Sequence, residues 1–138
     1  MFLQLFLSLT LLYGVTFAND LKLIKKINLK KDETKEILVK YASNKRLFKF
    51  RWTLYQNGGL VIHRSYDKFV AQNVLYLRHQ NQSFRLKLKS RGVDAYNVPY
   101  LLVKFKAFDL KKREAQFELF LSDDKNQINL KYLKNSKK

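Results

Sequence analysis

Alternation of apolar and polar residues with a period of two is the feature that most constrains the fold of this chain. Residues 83–90 read SFRLKLKS, in which the apolar residues are Phe84, Leu86 and Leu88 and the residues between them are Arg85, Lys87 and Lys89. Successive side chains of an extended strand point to opposite faces. The segment is therefore predicted to be a half-buried β-strand with a row of cations on its solvent side.

The same alternation recurs along most of the chain, which contains only 4 Gly and 1 Pro. It predicts a first strand over 21–30, hairpins over 47–66, 73–90 and 99–122, and a last strand over 128–133. Residues 32–44 allow either a helix capped by Asp32 or a strand, and the alternation of Ile37, Val39 and Tyr41 favours the strand.

The hairpin at 47–66 turns at Asn57-Gly58-Gly59, which supplies the positive φ angles of a tight turn. Phe48, Phe50, Trp52 and Leu54 share one face of its first strand. A two-residue turn places Leu54 opposite Val61, and a three-residue loop places it opposite Ile62. The three-residue loop is preferred, because it keeps the apolar residues of the second strand on the Phe/Trp side.

In the hairpin at 99–122, a loop over 110–112 aligns an apolar ladder with a complementary pair of charges. Phe105 then faces Phe117, Ala107 faces Ala115, and Lys104 faces Glu118 on the other side. Agreement of both faces at one register supports that pairing. In the hairpin at 73–90 the register stays open, since Leu75/Leu77 and Val74/Tyr76 could each be the buried pair.

These elements predict an all-β chain: a single antiparallel β-sandwich of about eight strands, with a closed barrel as the alternative. Cys is absent, so the core depends on the packing of apolar and aromatic side chains, and the full sequence contains 11 Phe, 8 Tyr and 1 Trp. Trp52 on a central early strand, and Tyr96 just before the strand near Pro99, resemble features of immunoglobulin-like domains. The resemblance is one of architecture only, because the Cys pair of antibody domains is missing.

The first 18 residues read MFLQLFLSLTLLYGVTFA, without any charged side chain and ending in small residues at a cleavage-site spacing. They predict a secretory signal peptide over 1–18, and removing 18 of 138 residues leaves a basic domain over 19–138. The expected localisation is periplasmic or extracellular. The alternative is an uncleaved N-terminal membrane anchor, for which 18 residues is short.

Lys and Arg number 28 against 11 Asp and Glu, which gives a net charge of +17. Such an excess indicates either an anionic partner or a role in solubility. The candidate anion-binding residues are Arg85, Lys87, Lys89, Lys49 and Arg51, with Tyr55 and Tyr76 as possible stacking residues between the cations.

The leading function from the sequence is an exported, non-catalytic binding protein. Its expected partners are acidic polysaccharide, lipopolysaccharide, an anionic membrane surface or an acidic protein. Nucleic acid is not expected as the main partner because of the export signal. The alternative is a structural or assembly module that interacts through its sheet edges and is basic only incidentally.

Catalytic and metal-binding patterns are not found. The two histidines, His63 and His79, are expected at the surface, and Ser65 lacks the surroundings of a nucleophile. Asp123 and Asp124 fall between two strands, where Asp favours a turn. No enzymatic activity, metal or cofactor is therefore expected.

Overall fold

The computed structural model describes residues 21–89 and 98–137, which form strands and turns without a helix. The predicted signal peptide over 1–18, its cleavage site before Asn19, and Tyr96 lie outside the described residues. The strands are β1 (Leu21–Lys30), β2 (Glu33–Tyr41), β3 (Asn44–Gln56), β4 (Gly59–Tyr66), β5 (Phe69–Tyr76), β6 (Ser83–Lys87), β7 (Tyr100–Asp109), β8 (Glu114–Ser122), β9 (Asn129–Tyr132) and β10 (Ser136–Lys137).

Two antiparallel sheets pack face to face, so the predicted all-β sandwich is confirmed. Sheet A has the order β1-β8-β7-β6, and sheet B has the order β10-β2-β3-β4-β5 with β9 also beside β2. Among the described strands the chain changes sheet three times, at the β1–β2, β5–β6 and β8–β9 connections. Both sheets are largely meanders, unlike the ABED and CFG sheets of immunoglobulin domains.

The core lies between the sheets and is rich in aromatic rings. Trp52 is fully buried, and its indole Nε1 donates a 2.7 Å hydrogen bond to the carbonyl oxygen of Leu29. The Phe50 and Phe117 rings meet edge to face with centroids 5.3 Å apart, which joins the two sheets. The buried apolar side chains come from β1 to β8 and from Leu88, so one continuous core holds the domain together.

Residues 33–41 form a strand, as favoured from the sequence, and Ile37, Val39 and Tyr41 are buried. In β1 the inward parity changes at a bulge between Leu23 and Lys25. An extra residue in one strand reverses which side chains point inward beyond it. Leu23 is consequently 46% exposed and Ile24 packs against the core, contrary to the simple alternation.

The preferred three-residue loop between β3 and β4 is wrong. Asn57 and Gly58 form a two-residue turn with φ angles of 52° and 77°, and Leu54 lies opposite Val61. A bulge between Trp52 and Leu54 then places Trp52 opposite Ile62. The expected burial of Leu60 and Ile62 is therefore observed, whereas Leu54 is exposed.

The register of β7 and β8 agrees with the sequence prediction for only part of its length. Phe105 pairs with Phe117 and Lys104 with Glu118, as predicted. A bulge between Phe105 and Ala107 places Ala107 opposite Gln116 rather than Ala115. The loop is correspondingly one residue longer than expected, since Asp109 pairs with Glu114.

The predicted hairpin at 73–90 is a corner between the two sheets, because β5 belongs to sheet B and β6 to sheet A. A hydrogen bond from Tyr76 N to Asn81 O, 2.9 Å long, closes this corner. Leu75 is buried and Leu77 packs against the core, so the open register is settled in favour of this pair. Among the described residues, none belongs to a helix that could cross a membrane.

Candidate anion-binding faces

The five candidate cations are divided between opposite sides of the sandwich. Arg85 and Lys87 point outward from β6 of sheet A, because Phe84 and Leu86 between them are buried. Lys49 and Arg51 point outward from β3 of sheet B, where their neighbours face the core in the same way. The structure therefore does not bring these two groups onto one face.

Lys89 is separated from its two predicted companions. Its ammonium group contacts the side-chain oxygen of Gln127 and lies 5.5 Å from the centre of the Tyr41 ring. It is partly buried, whereas Arg85 and Lys87 are exposed. The three cations predicted to form one row are therefore divided. Arg85 and Lys87 share the outer face of the strand, whereas Lys89 is turned toward the end of the sandwich.

The two candidate stacking tyrosines also lie apart. Tyr55 stacks on Phe108 with ring centroids 3.9 Å apart and packs against the core, away from the cations. The bulge before Leu54 turns it inward. Tyr76 is exposed on β5 of sheet B, where its ring lies 5.6 Å from that of His79.

The outward face of sheet A carries a row of apolar side chains that ends at a cation. Leu23 lies opposite Phe120, Phe120 opposite Leu102, and Leu102 opposite Arg85. In the next row, Tyr100 lies opposite Lys87. A solvated face of an antiparallel sheet is normally polar. This face departs from that rule on β1, β8 and β7, whereas β6 contributes the cations.

Cations border the apolar row on two sides. The Arg85 guanidinium lies 4.1 Å from the centre of the Tyr100 ring. In the adjoining row, Lys26 of β1 and Lys104 of β7 each lie opposite Glu118 of β8 in the strand register. Lys106 forms an ion pair of 3.9 Å with the same carboxylate. We call this combination the amphipathic face: it consists of Leu21, Leu23, Tyr100, Leu102 and Phe120 with the cations Lys26, Arg85, Lys87, Lys104 and Lys106.

Sequence reasoning identified two candidate cations of this face, Arg85 and Lys87, but missed its apolar half. The available signal was the break in alternation within β7 and β8, where Leu101-Leu102-Val103 and Leu119-Phe120-Leu121 are continuous apolar runs. With period two, at least one residue in each run must face outward. Leu102 and Phe120 are those residues.

The outward face of sheet B has a different chemistry. Arg51 lies directly opposite His63, and Lys49 forms an ion pair of 3.6 Å with Glu36. These residues line a shallow groove of about 340 Å³ together with Thr34, Phe50, Arg64, Ser65, Val70 and Ser136. We call it the sheet B groove.

Other polar groups of interest have structural explanations. Arg64 donates a 2.7 Å hydrogen bond to Asn73 and lies 4.6 Å from the Phe84 ring, and burial lowers its pKa. The Tyr66 hydroxyl donates a 2.6 Å hydrogen bond to the carbonyl oxygen of Leu88, and burial raises its pKa to about 12. Asp123 accepts a hydrogen bond from Ile128 N, which fits the predicted turn.

The described residues contain no group of three or more histidines and carboxylates placed to hold a metal ion. His79 uses its Nδ1 to accept a hydrogen bond from Asn81 N, and His63 lies in the sheet B groove. The two histidines therefore occupy different places in the fold.

The architecture defines the molecule as a Cys-free antiparallel β-sandwich with an amphipathic outer face on sheet A and a polar groove on sheet B. Comparison with known proteins found no matching family model, no matching curated protein and no matching solved structure.

Proposed function

We propose that this chain is an exported, non-catalytic protein that binds anionic lipid surfaces through the amphipathic face of sheet A. The observation that carries the proposal is the meeting of outward apolar residues and cations on one face of sheet A. Leu23, Phe120, Leu102 and Arg85 form a single cross-strand row on that sheet.

A lipid surface makes use of both halves of this face. Apolar side chains gain free energy by entering the boundary between headgroups and acyl chains. Each Lys or Arg near an anionic bilayer adds about 1 kcal/mol. An acidic polysaccharide would engage the cations and leave the apolar row in water. Among the anionic partners expected from the sequence, a lipid surface therefore fits this face best.

The experiment is co-sedimentation of the full chain with vesicles of neutral lipid containing an anionic lipid. Arg85→Gln combined with Lys87→Gln removes two exposed cations, and at about 1 kcal/mol each the binding constant should fall roughly 30-fold. Lys49→Gln combined with Arg51→Gln is the matched control, because it removes the same charge from the opposite sheet. Equal losses in the two double variants would contradict the proposal and indicate non-specific attraction by net charge.

The apolar half has its own test. Leu23→Ser should weaken binding to anionic vesicles at high salt, where charge attraction is screened. Leu110→Ser is a suitable control, since Leu110 is more exposed but lies in the loop between β7 and β8. If both variants bind like the parent at high salt, the apolar row does not contact lipid.

Assembly through a sheet edge is the second candidate function, and one observation favours it. β5 is the end strand of sheet B, and its residues FVAQNVLY carry no charge. Phe69 and Val70 are 80% and 79% exposed. Sheet edges are commonly protected by charges such as Lys, and β5 itself contains no charged residue.

Analytical ultracentrifugation over a concentration series tests this second candidate. Association that disappears in Val70→Lys but persists in Arg85→Gln would support edge-to-edge assembly. A monomer at all concentrations would exclude self-assembly through β5.

A further inference from the structure

We propose that the sheet B groove binds the acidic sugar unit of a polysaccharide, with the sugar carboxylate held by Arg51 and His63. The site lies on the opposite side of the sandwich from the amphipathic face. Its residues, size and ligand are different, so the proposal does not rest on lipid binding.

The anion-binding part of the groove is the Arg51–His63 pair. The two residues are direct cross-strand partners on β3 and β4, and opposed side chains of this kind stand about 4.5–5.5 Å apart at Cβ. Among the described residues, neither side chain forms an ion pair or a side-chain hydrogen bond. The Arg51 guanidinium offers a planar fork of donors that matches the two oxygens of a carboxylate.

The rest of the lining suits a ligand with several hydroxyl groups. Thr34, Ser65 and Ser136 contribute hydroxyls, each able both to donate and to accept. Glu36 contributes a carboxylate whose charge is partly balanced by Lys49, 3.6 Å away. Sugar hydroxyls can donate to that carboxylate.

Size and shape favour one sugar unit over a lipid or a nucleotide. A volume of about 340 Å³ is at the lower end for small-molecule pockets. Among the described residues that line the groove, Phe50 is the single Phe, Tyr or Trp, and its side chain is buried in the core and offers no stacking platform. Val70 at the rim gives an apolar contact for the C–H face of a sugar ring.

The test is an NMR titration of the full chain with trigalacturonate, followed through backbone amide shifts. We expect shifts concentrated at residues 34, 36, 51, 63, 65 and 136. The methyl-esterified trisaccharide keeps the hydroxyls and loses the charge, so it should bind at least tenfold more weakly. Shifts spread evenly over both sheets, or equal binding of the ester, would overturn the proposal.

Three variants assign the roles within the groove. Arg51→Gln should weaken trigalacturonate binding at least tenfold, and Arg51→Lys should restore only part of it, because Lys keeps the charge without the fork. His63→Gln should weaken binding several-fold. Arg51 and His63 point outward, so the core that maintains the fold is untouched, and amide spectra would verify this.

Two further outcomes separate this site from the rest of the surface. The Arg85→Gln and Lys87→Gln double variant should bind trigalacturonate like the parent, even if it has lost lipid binding. Inorganic phosphate serves as the probe for a simple anion site. If phosphate produces the same shifts with equal affinity, the hydroxyl-binding half of the proposal is wrong.

Discussion

Replacement of Trp52 by Ala is expected to destabilise the domain more than any other single truncation. The side chain is fully buried on β3, its ring meets that of Phe108 edge to face, and its Nε1 donates to the Leu29 carbonyl oxygen. It therefore joins sheet B to β7 of sheet A by packing and to β1 of sheet A by a hydrogen bond.

The expected loss of stability in Trp52→Ala can be obtained in two ways, which agree. Burying a Trp side chain removes about 150–250 Å² from water, and at about 25 cal/mol per Å² this amounts to roughly 4–6 kcal/mol. Measured truncations of large buried aromatics cost about 3–5 kcal/mol, which is consistent. Trp52→Phe keeps much of the packing but leaves the Leu29 carbonyl without its partner, at a cost of about 1–3 kcal/mol.

Urea denaturation followed by far-UV circular dichroism measures both variants without relying on the single Trp as a fluorophore. The expected order of stability is parent, then Trp52→Phe, then Trp52→Ala. Small domains are stable by only about 5–15 kcal/mol, so the Ala variant should be unfolded in part or shift its midpoint by a large amount. A midpoint within error of the parent would refute the assignment of the inner face of β3.

Three other outcomes follow from particular residues. Burial raises the pKa of Tyr66 to about 12 in the folded state, against about 10 in the unfolded state. The stability that this difference contributes is complete below pH 10 and is lost as the pH rises from 10 to 12. Across that window the free energy of unfolding, measured by denaturation, should fall by about 2–3 kcal/mol more in the parent than in Tyr66→Phe. Gly58→Val should cost about 1–2 kcal/mol in urea denaturation because φ is +77°, whereas Asn57→Gly should cost little. N-terminal sequencing of protein from its native host should find Asn19 first, and an intact Met1 in the membrane fraction would favour the anchor.

The inner residues of the sandwich could be predicted from alternation, but the positions of the bulges could not. A two-residue turn at Asn57 and Gly58 followed by a bulge near Thr53 buries the same Leu60 and Ile62 as a three-residue loop without a bulge. Beyond the bulge, both arrangements place the same residues on the inner face of the strands. A pattern of apolar residues therefore cannot distinguish them.

The same ambiguity affects β7 and β8, where a longer loop and a bulge near Lys106 leave Phe105 opposite Phe117. Turn chemistry carried the missing information only at Asn57-Gly58, which is the preferred pair for a two-residue hairpin. In β1, nothing in the local sequence indicates that Ile24 rather than Leu23 faces the core.

The candidate site depended on information that a single strand does not contain. Each strand's cations could be assigned to its solvent side, but the sheet to which a strand belongs is decided by pairing across the whole chain. Arg85 and Arg51 are both outward and still lie on opposite sides of the sandwich. The apolar row next to Arg85 emerges only when β1, β8, β7 and β6 are placed side by side.

The most direct test of the central claim is to ask which face of the sandwich touches an anionic bilayer. The chain has no Cys, so Leu23→Cys on sheet A and Val74→Cys on sheet B each provide one labelling site for an environment-sensitive fluorophore. With anionic vesicles, the label at position 23 should shift to the blue and become accessible to quenchers within the bilayer, while the label at position 74 should remain in water. A response at position 74 alone, or no response at either position from vesicle-bound protein, would contradict binding through the amphipathic face.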